Sequence, residues 1–281
     1  MGSKMILPDL VLPGRVNQNW QFSGIDCINK CLDNQHFLSY PHQITYNYNS
    51  RGFRDQEWPD NVQELRDAIW CIGDSFTVGL GSPLEHSWPF QLSKITGQRV
   101  INVSMDGASN EWIARTTEKI IQELEPVKIV IMWSYTHRRE HPDSLLNDEE
   151  RRIHSNKTTA AEDWSNFVNC YEKINSISEP IHFAIPKFHI DLLDINVCWE
   201  DIKGPDWPTS PPGNLAELYA LPSSILCEID TLHKCLDKIQ QLLSTDVILI
   251  NERDLARDGL HFDLITAEWV ATTAAHELNQ L

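Results

Sequence analysis

The sequence predicts a three-layer α/β protein, a parallel sheet of about five strands with helices on both faces. Short apolar runs at 68–72, 99–103, 127–133, 181–185 and 246–250 have the length of buried strands. Between them lie longer stretches whose apolar residues recur at helical spacing. The first and last runs pass directly into loops rich in Asp and Gly, as strands do at the carboxyl edge of an open sheet.

Residues 1–65 are polar, Asn-rich and broken by Pro8, Pro13 and Pro41, and are expected to pack on the core as an N-terminal extension. Within them Gln43–Asn49 alternates, with Ile44, Tyr46 and Tyr48 on one side, which predicts a strand. Arg51 to Trp58 reads as an arginine-anchored loop over the sheet edge. The core is expected over 66–281, beginning with the strand Ala68–Ile72. Gly73-Asp74-Ser75 breaks that strand, and a helix is expected just after Ser75.

Ser82-Pro83-Leu84-Glu85 predicts a helix start, with Pro in the first position and Glu reaching back to the cap. That helix is expected to run to Ile95 and end at Gly97. A strand over Arg99–Val103, a helix over Ser109–Leu124 and a strand over Val127–Trp133 follow. Ser134–Lys157 is charged and loop-like; a helix is expected over Ala160–Ile177 and a strand over Ile181–Ile185. The irregular Cys198–Gly213 segment is a lid candidate, and Ser224–Leu243 has the pattern of an amphipathic helix. Asp246–Ile250 is the last strand, and Ala267–Leu281 closes the fold as a helix. This alternation is the flavodoxin-like, doubly wound pattern.

The two loops that carry chemistry lie near opposite ends of the core and must meet, which favours one α/β domain in a chain of 281 residues. Lys and Arg number 23 against 40 Asp and Glu, a net charge of −17 that argues against nucleic acid or an anionic membrane as partner. No charged-then-apolar leader is seen, and no apolar run approaches the ~18 residues of a membrane span, so a cytoplasmic protein is expected. Cys27, Cys31, Cys71, Cys170, Cys198, Cys227 and Cys235 form no CxxC pair and read as free thiols.

Ser75 stands where a buried strand meets a helix, so free backbone N–H groups point at a spot where a negative oxygen could develop. A serine hydroxyl needs a base to take its proton, and the base needs an orienting carboxylate. Asp258 and His261, three apart in Arg257-Asp258-Gly259-Leu260-His261, can share one turn. Asp263 is a competing carboxylate, and Asp74 is expected to be a local backbone acceptor. His137-Arg138-Arg139-Glu140-His141 also fits the H-x-x-E-H zinc signature, which requires a helix to align its histidines.

GDSFT at 73–77 with DGLH at 258–261, in that order, resembles the first and last blocks of the SGNH (GDSL-type) hydrolases. INVSMDGASN at 101–110 is similar to the glycine block between them, and the three cover most of the chain from residue 66 onward. The resemblance implies the SGNH-hydrolase fold and a serine esterase working through an acyl-enzyme, with no metal or organic cofactor. Ser75 would be the nucleophile, His261 the base and Asp258 its orienting acid, the family pattern placing the acid three before the histidine. The backbone N–H groups of Ser75 and Gly107 would be oxyanion donors.

The family's third donor is an asparagine in a GxND block, and Met132 to Glu140 holds neither Gly nor Asn. Asn110, Thr136 and Tyr135 are the candidates to replace it. The implied substrate is a small-molecule or carbohydrate ester with a short acyl group, such as acetyl, with Trp199 and Trp207 available to stack on it. Two other readings stand beside this one: a catalytically impaired binding module of the same fold, and a zinc metallopeptidase using His137 and His141.

Overall fold

Five parallel strands form the central sheet in the computed structural model, which describes residues 6–22, 40–143, 145–154, 160–185 and 246–280. The N-terminal segment carries β1 (Asn19–Trp20) and β2 (Tyr46–Asn47), a short antiparallel pair, followed by α1 (Val62–Asp67). Ile44, Tyr46 and Tyr48 are buried together, as their alternation predicts. β3 (Ile69–Gly73) leads to α2 (Ser75–Val78), α3 (Trp88–Thr96), β4 (Val100–Ser104) and α4 (Asn110–Leu124). β5 (Lys128–Trp133) precedes a hairpin of β6 (Arg138–Glu140) and β7 (Arg152–His154). α5 (Ala160–Asn175), β8 (Ile181–Ala184), β9 (Val247–Leu249) and α6 (Leu264–Leu278) complete the described chain.

The sheet runs β4-β3-β5-β8-β9 with every pair parallel. Numbered by their order along the chain, these strands read 2-1-3-4-5, the flavodoxin-like doubly wound order. All five residues of β3 are buried, because a central parallel strand is covered on both faces. α3 packs on α6 and α4 packs on α5, which supplies the helical layers. Trp70, Trp88, Trp112, Trp133 and Trp164 are wholly buried, and the N-terminal Leu7, Leu10, Leu12 and Phe53 join the same core. Among the described residues no helix is long and apolar enough to cross a membrane.

Three local expectations are corrected. Ser82-Pro83 does not open a helix: Leu84–His86 forms a 3-10 turn, and α3 starts at Trp88 with Pro89 in its first turn. The Ser82 hydroxyl donates to Asp263 Oδ1 at 2.8 Å instead of capping, so a distant carboxylate outcompetes the local motif. The charged stretch after Trp133 is not all loop, since Arg138–Glu140 pairs with Arg152–His154 through a ladder that needs no apolar alternation. α6 starts at Leu264, three residues earlier than expected, with Asp263 in the cap position. The lid candidate with Trp199 and Trp207, and the helix expected over 224–243, lie outside the described residues.

Candidate active site

β3 ends at Gly73, and Asp74 turns the chain into a helix: its Oδ1 accepts the Phe76 N–H at 3.0 Å. That cap makes Ser75 the first residue of α2, at the carboxyl edge of the sheet, buried to 2% exposure. The loop after β9 is folded by its own aspartate. Asp258 Oδ1 accepts the N–H groups of Leu260 and His261, both at 3.0 Å, and Gly259 N–H donates to Ala256 O at 2.9 Å. An aspartate that bonds its own backbone favours such a turn, and Ala256 N–H closes it by donating to His261 O at 2.7 Å. Here the aspartate points its remaining oxygen at the histidine.

Asp258 Oδ2 lies 2.5 Å from His261 Nδ1, and His261 Nε2 lies 2.8 Å from Ser75 Oγ. With a carboxylate facing Nδ1, the neutral ring carries its proton there, so Nε2 accepts from the serine hydroxyl. The imidazole rests against the Phe76 ring, 4.5 Å between centroids, which restricts its rotation. Burial pushes the Asp258 carboxyl up, but the hydrogen bond and charge of His261 and two backbone N–H donors outweigh it. Its pKa therefore lies below the ordinary carboxylate value, and Asp258 is ionised opposite the imidazole.

The glycine block sits beside this serine because β4 pairs with β3 in register, Gly73 opposite Ser104. Met105 N–H donates to Gly73 O at 3.2 Å, and Ala108 N–H returns to Met105 O at 3.0 Å. Gly107 occupies the third place of that turn with φ +72°. Neither Ser75 N–H nor Gly107 N–H meets a hydrogen-bond acceptor among the described residues.

Asn110 uses its amide oxygen and one of its two amide N–H groups on Ser134. Its Oδ1 accepts Ser134 N–H at 2.8 Å and its Nδ2 donates to Ser134 O at 3.1 Å, tying the start of α4 to the end of β5. Thr136 is buried beyond Ser134, and its carbonyl accepts from Arg139 Nη1 at 2.9 Å. Asp263 does not face His261; it takes the Ser82 hydroxyl and His86 Nδ1, each at 2.8 Å.

Ser134 and Arg138, to which the sequence gives no such role, hold the residue before the serine. Asp74 Oδ2 accepts the Ser134 hydroxyl at 2.7 Å and Arg138 Nη1 at 2.8 Å. Burial is the main influence on Asp74 and lifts its pKa, against the opposing pull of Arg138, Ser134, the Phe76 N–H and His261.

No family model matches the sequence, and no curated protein matches it. Solved structures do. A lipolytic protein of the G-D-S-L family from Veillonella parvula is 13% identical, with a TM-score of 0.42 over 76% of this chain and 99% of that one. A family 3 carbohydrate esterase from Clostridium thermocellum is 14% identical, with a TM-score of 0.36 over 76% and 98%. A family 2 carbohydrate esterase from Corynascus thermopiles is 12% identical, with a TM-score of 0.41 over 76% and 66%. The strand order 2-1-3-4-5 gives the flavodoxin-like fold.

The zinc motif fails on geometry. Arg138–Glu140 is a strand, where a separation of four residues spans about 13 Å, too far for His137 and His141 to share one ion. His137 instead stacks on Tyr135, and His141 Nδ1 accepts Asp143 N–H at 3.1 Å. A cavity of about 580 Å³ beside Arg54, His86, Phe90 and Asn102 is lined by none of Ser75, Asp258 and His261.

Proposed function

We propose that this protein is a serine esterase of the SGNH type, acting on a short acyl ester through an acyl-enzyme. The observation that carries the proposal is the unbroken hydrogen-bonded chain from Asp258 through His261 to Ser75, at 2.5 and 2.8 Å. Ser75 Oγ attacks the ester carbonyl while His261 Nε2 takes its proton. The ionised Asp258 holds Nδ1–H and stabilises the imidazolium that forms. The negative carbonyl oxygen is met by the N–H groups of Ser75 and Gly107, neither of which has an acceptor among the described residues. His261 then returns the proton to the leaving alcohol, and the reverse sequence with water releases the acid and frees Ser75.

The test is hydrolysis of p-nitrophenyl acetate by the wild type and by Ser75→Ala, with chelator in both. The proposal expects activity that survives chelation and is lost in the variant, and a covalent adduct on Ser75 with an organophosphate. Equal rates for the two proteins would sink it. The short-acyl reading further expects kcat/KM to fall as the acyl chain is lengthened beyond acetyl.

A further inference from the structure

The peptide that offers the Gly107 N–H is gripped from its other end. Arg152, on β7, donates from Nη1 to the carbonyl of Asp106, the oxygen of the same peptide unit. Its guanidinium lies over the glycine: Arg152 Nη1 and Cδ are both 3.5 Å from where a Cβ of Gly107 would stand. Arg152 is itself held, donating from Nε to Glu149 O at 3.0 Å and pairing with Asp106 Oδ2 at 3.6 Å.

The N-terminal segment closes the cluster. Arg15 Nη2 is 3.6 Å from the same Asp106 Oδ2, and Arg15 Nε is 3.2 Å from Glu149 Oε1. Glu149 Oε2 accepts the Gly14 N–H at 2.7 Å, and Arg15 Nη1 donates to Tyr48 Oη at 2.7 Å. Three segments remote in sequence thus converge on the residue before Gly107.

We infer that Arg152 is a positioning residue for the oxyanion donor at Gly107, held in place by Asp106, Arg15 and Glu149. The inference rests on the esterase reading of Ser75. The peptide unit is planar, so a donor fixed on its carbonyl fixes the direction of its N–H. A cation on the carbonyl oxygen also draws electron density toward it, and the N–H becomes a stronger donor to an anion on the far side. Both effects act where negative charge develops, so they favour the transition state over bound ester. The role fits a site whose β5 end, Met132 to Glu140, lacks the asparagine that the family resemblance implies.

The experiment compares Arg152→Met, Arg152→Gln and Arg152→Lys with the wild type, reading kcat, KM and thermal midpoint on p-nitrophenyl acetate. Removing a direct oxyanion donor costs about 10²–10³ in kcat, so a residue acting through one is expected to cost about tenfold. Met and Gln should each show that loss in kcat with KM within about twofold, and Lys, which keeps the charge, should recover most of it. Arg152→Gln keeps the assay informative if Arg152→Met does not fold. The inference is overturned if kcat holds in Met and Gln, or if Lys is as impaired as Met. Ser75-dependent wild-type hydrolysis with such an outcome spares the esterase reading; wild-type hydrolysis independent of Ser75 overturns both.

Discussion

Asp258 is packed against Gly81. A Cβ built on Gly81 would stand 2.8 Å from Asp258 Cγ and 3.0 Å from Ala256 Cβ, and Gly81 has φ +77°. Its N–H is also spent, donating to Tyr46 Oη at 2.9 Å, so the loop cannot slide away to make room. Gly81→Ala is therefore expected to push the Asp258 carboxylate off His261. A displacement near 1 Å costs about 10²-fold in rate, and the left-handed backbone costs about 1–2 kcal/mol of stability. Gly97→Ala is the control: it has φ +66° but nothing within 4 Å of the added carbon. It should lose stability and keep kcat/KM; equal activity losses in the two variants would refute the packing argument.

A second histidine sets a pH dependence of stability. The hydrogen bond from His86 to Asp263 raises the His86 pKa, burial opposes it, and the charges of Asp263, Glu85 and Asp254 add to the rise. A base with a raised folded-state pKa contributes stability in full below its unfolded value of about 6.5. That contribution is lost as pH rises through the higher folded value. The thermal midpoint of the wild type should thus exceed that of His86→Gln at about pH 6, and the gap should narrow by about pH 9. A gap that widens with pH would be the wrong sign.

The parts of this fold that were legible in the sequence are those written locally. β3, and β5 after Lys128, are continuous apolar runs because central parallel strands are covered on both faces. Asp258 and His261 were visible as a pair because a three-residue spacing places them in one turn. What was hidden is long-range. The Ser82 hydroxyl goes to a carboxylate 181 residues away, which a local capping pattern cannot register. Asn110 bonds the Ser134 backbone, and Arg138 reaches Asp74 across 64 residues, because the sheet brings the ends of β3 and β5 together. The hairpin of Arg138–Glu140 with Arg152–His154 carries charge where alternation would signal a strand.

Arg54 tests how tightly the loop behind the serine is fixed. It is 1% exposed and donates to three carbonyls, from Nη1 to Val78 O at 2.9 Å and Gly79 O at 2.7 Å, and from Nη2 to Ser82 O at 3.0 Å. Its guanidinium also stacks 4.3 Å over Tyr46. Lysine is a single point charge and cannot reach all three oxygens. Arg54→Lys should lose about 2–4 kcal/mol in urea unfolding, with faster amide exchange over 79–82. A loss confined to kcat/KM, with stability unchanged, would instead make Arg54 a substrate contact.

Asp74 and Arg138 form a buried ion pair next to the serine. Asp74 is wholly buried, its side chain 0% exposed, and Arg138 is its only cation within 4 Å among the described residues. Arg138→Met would leave that carboxylate with only the Ser134 hydroxyl and the Phe76 N–H, a loss of about 3–5 kcal/mol. Asp74, already raised by burial, would rise further without the arginine. An acid with a raised folded-state pKa contributes stability below its unfolded value and loses it as pH rises through the folded one. Arg138→Met should consequently lose more stability at neutral pH than near pH 4, and adding Asp74→Asn should recover most of it because no buried charge is left behind. Urea unfolding of the single and double variants at two pH values decides the matter. A double variant no more stable than Arg138→Met would mean that the arginine acts through its packing on Tyr135, 4.9 Å from the ring centre, and not through Asp74.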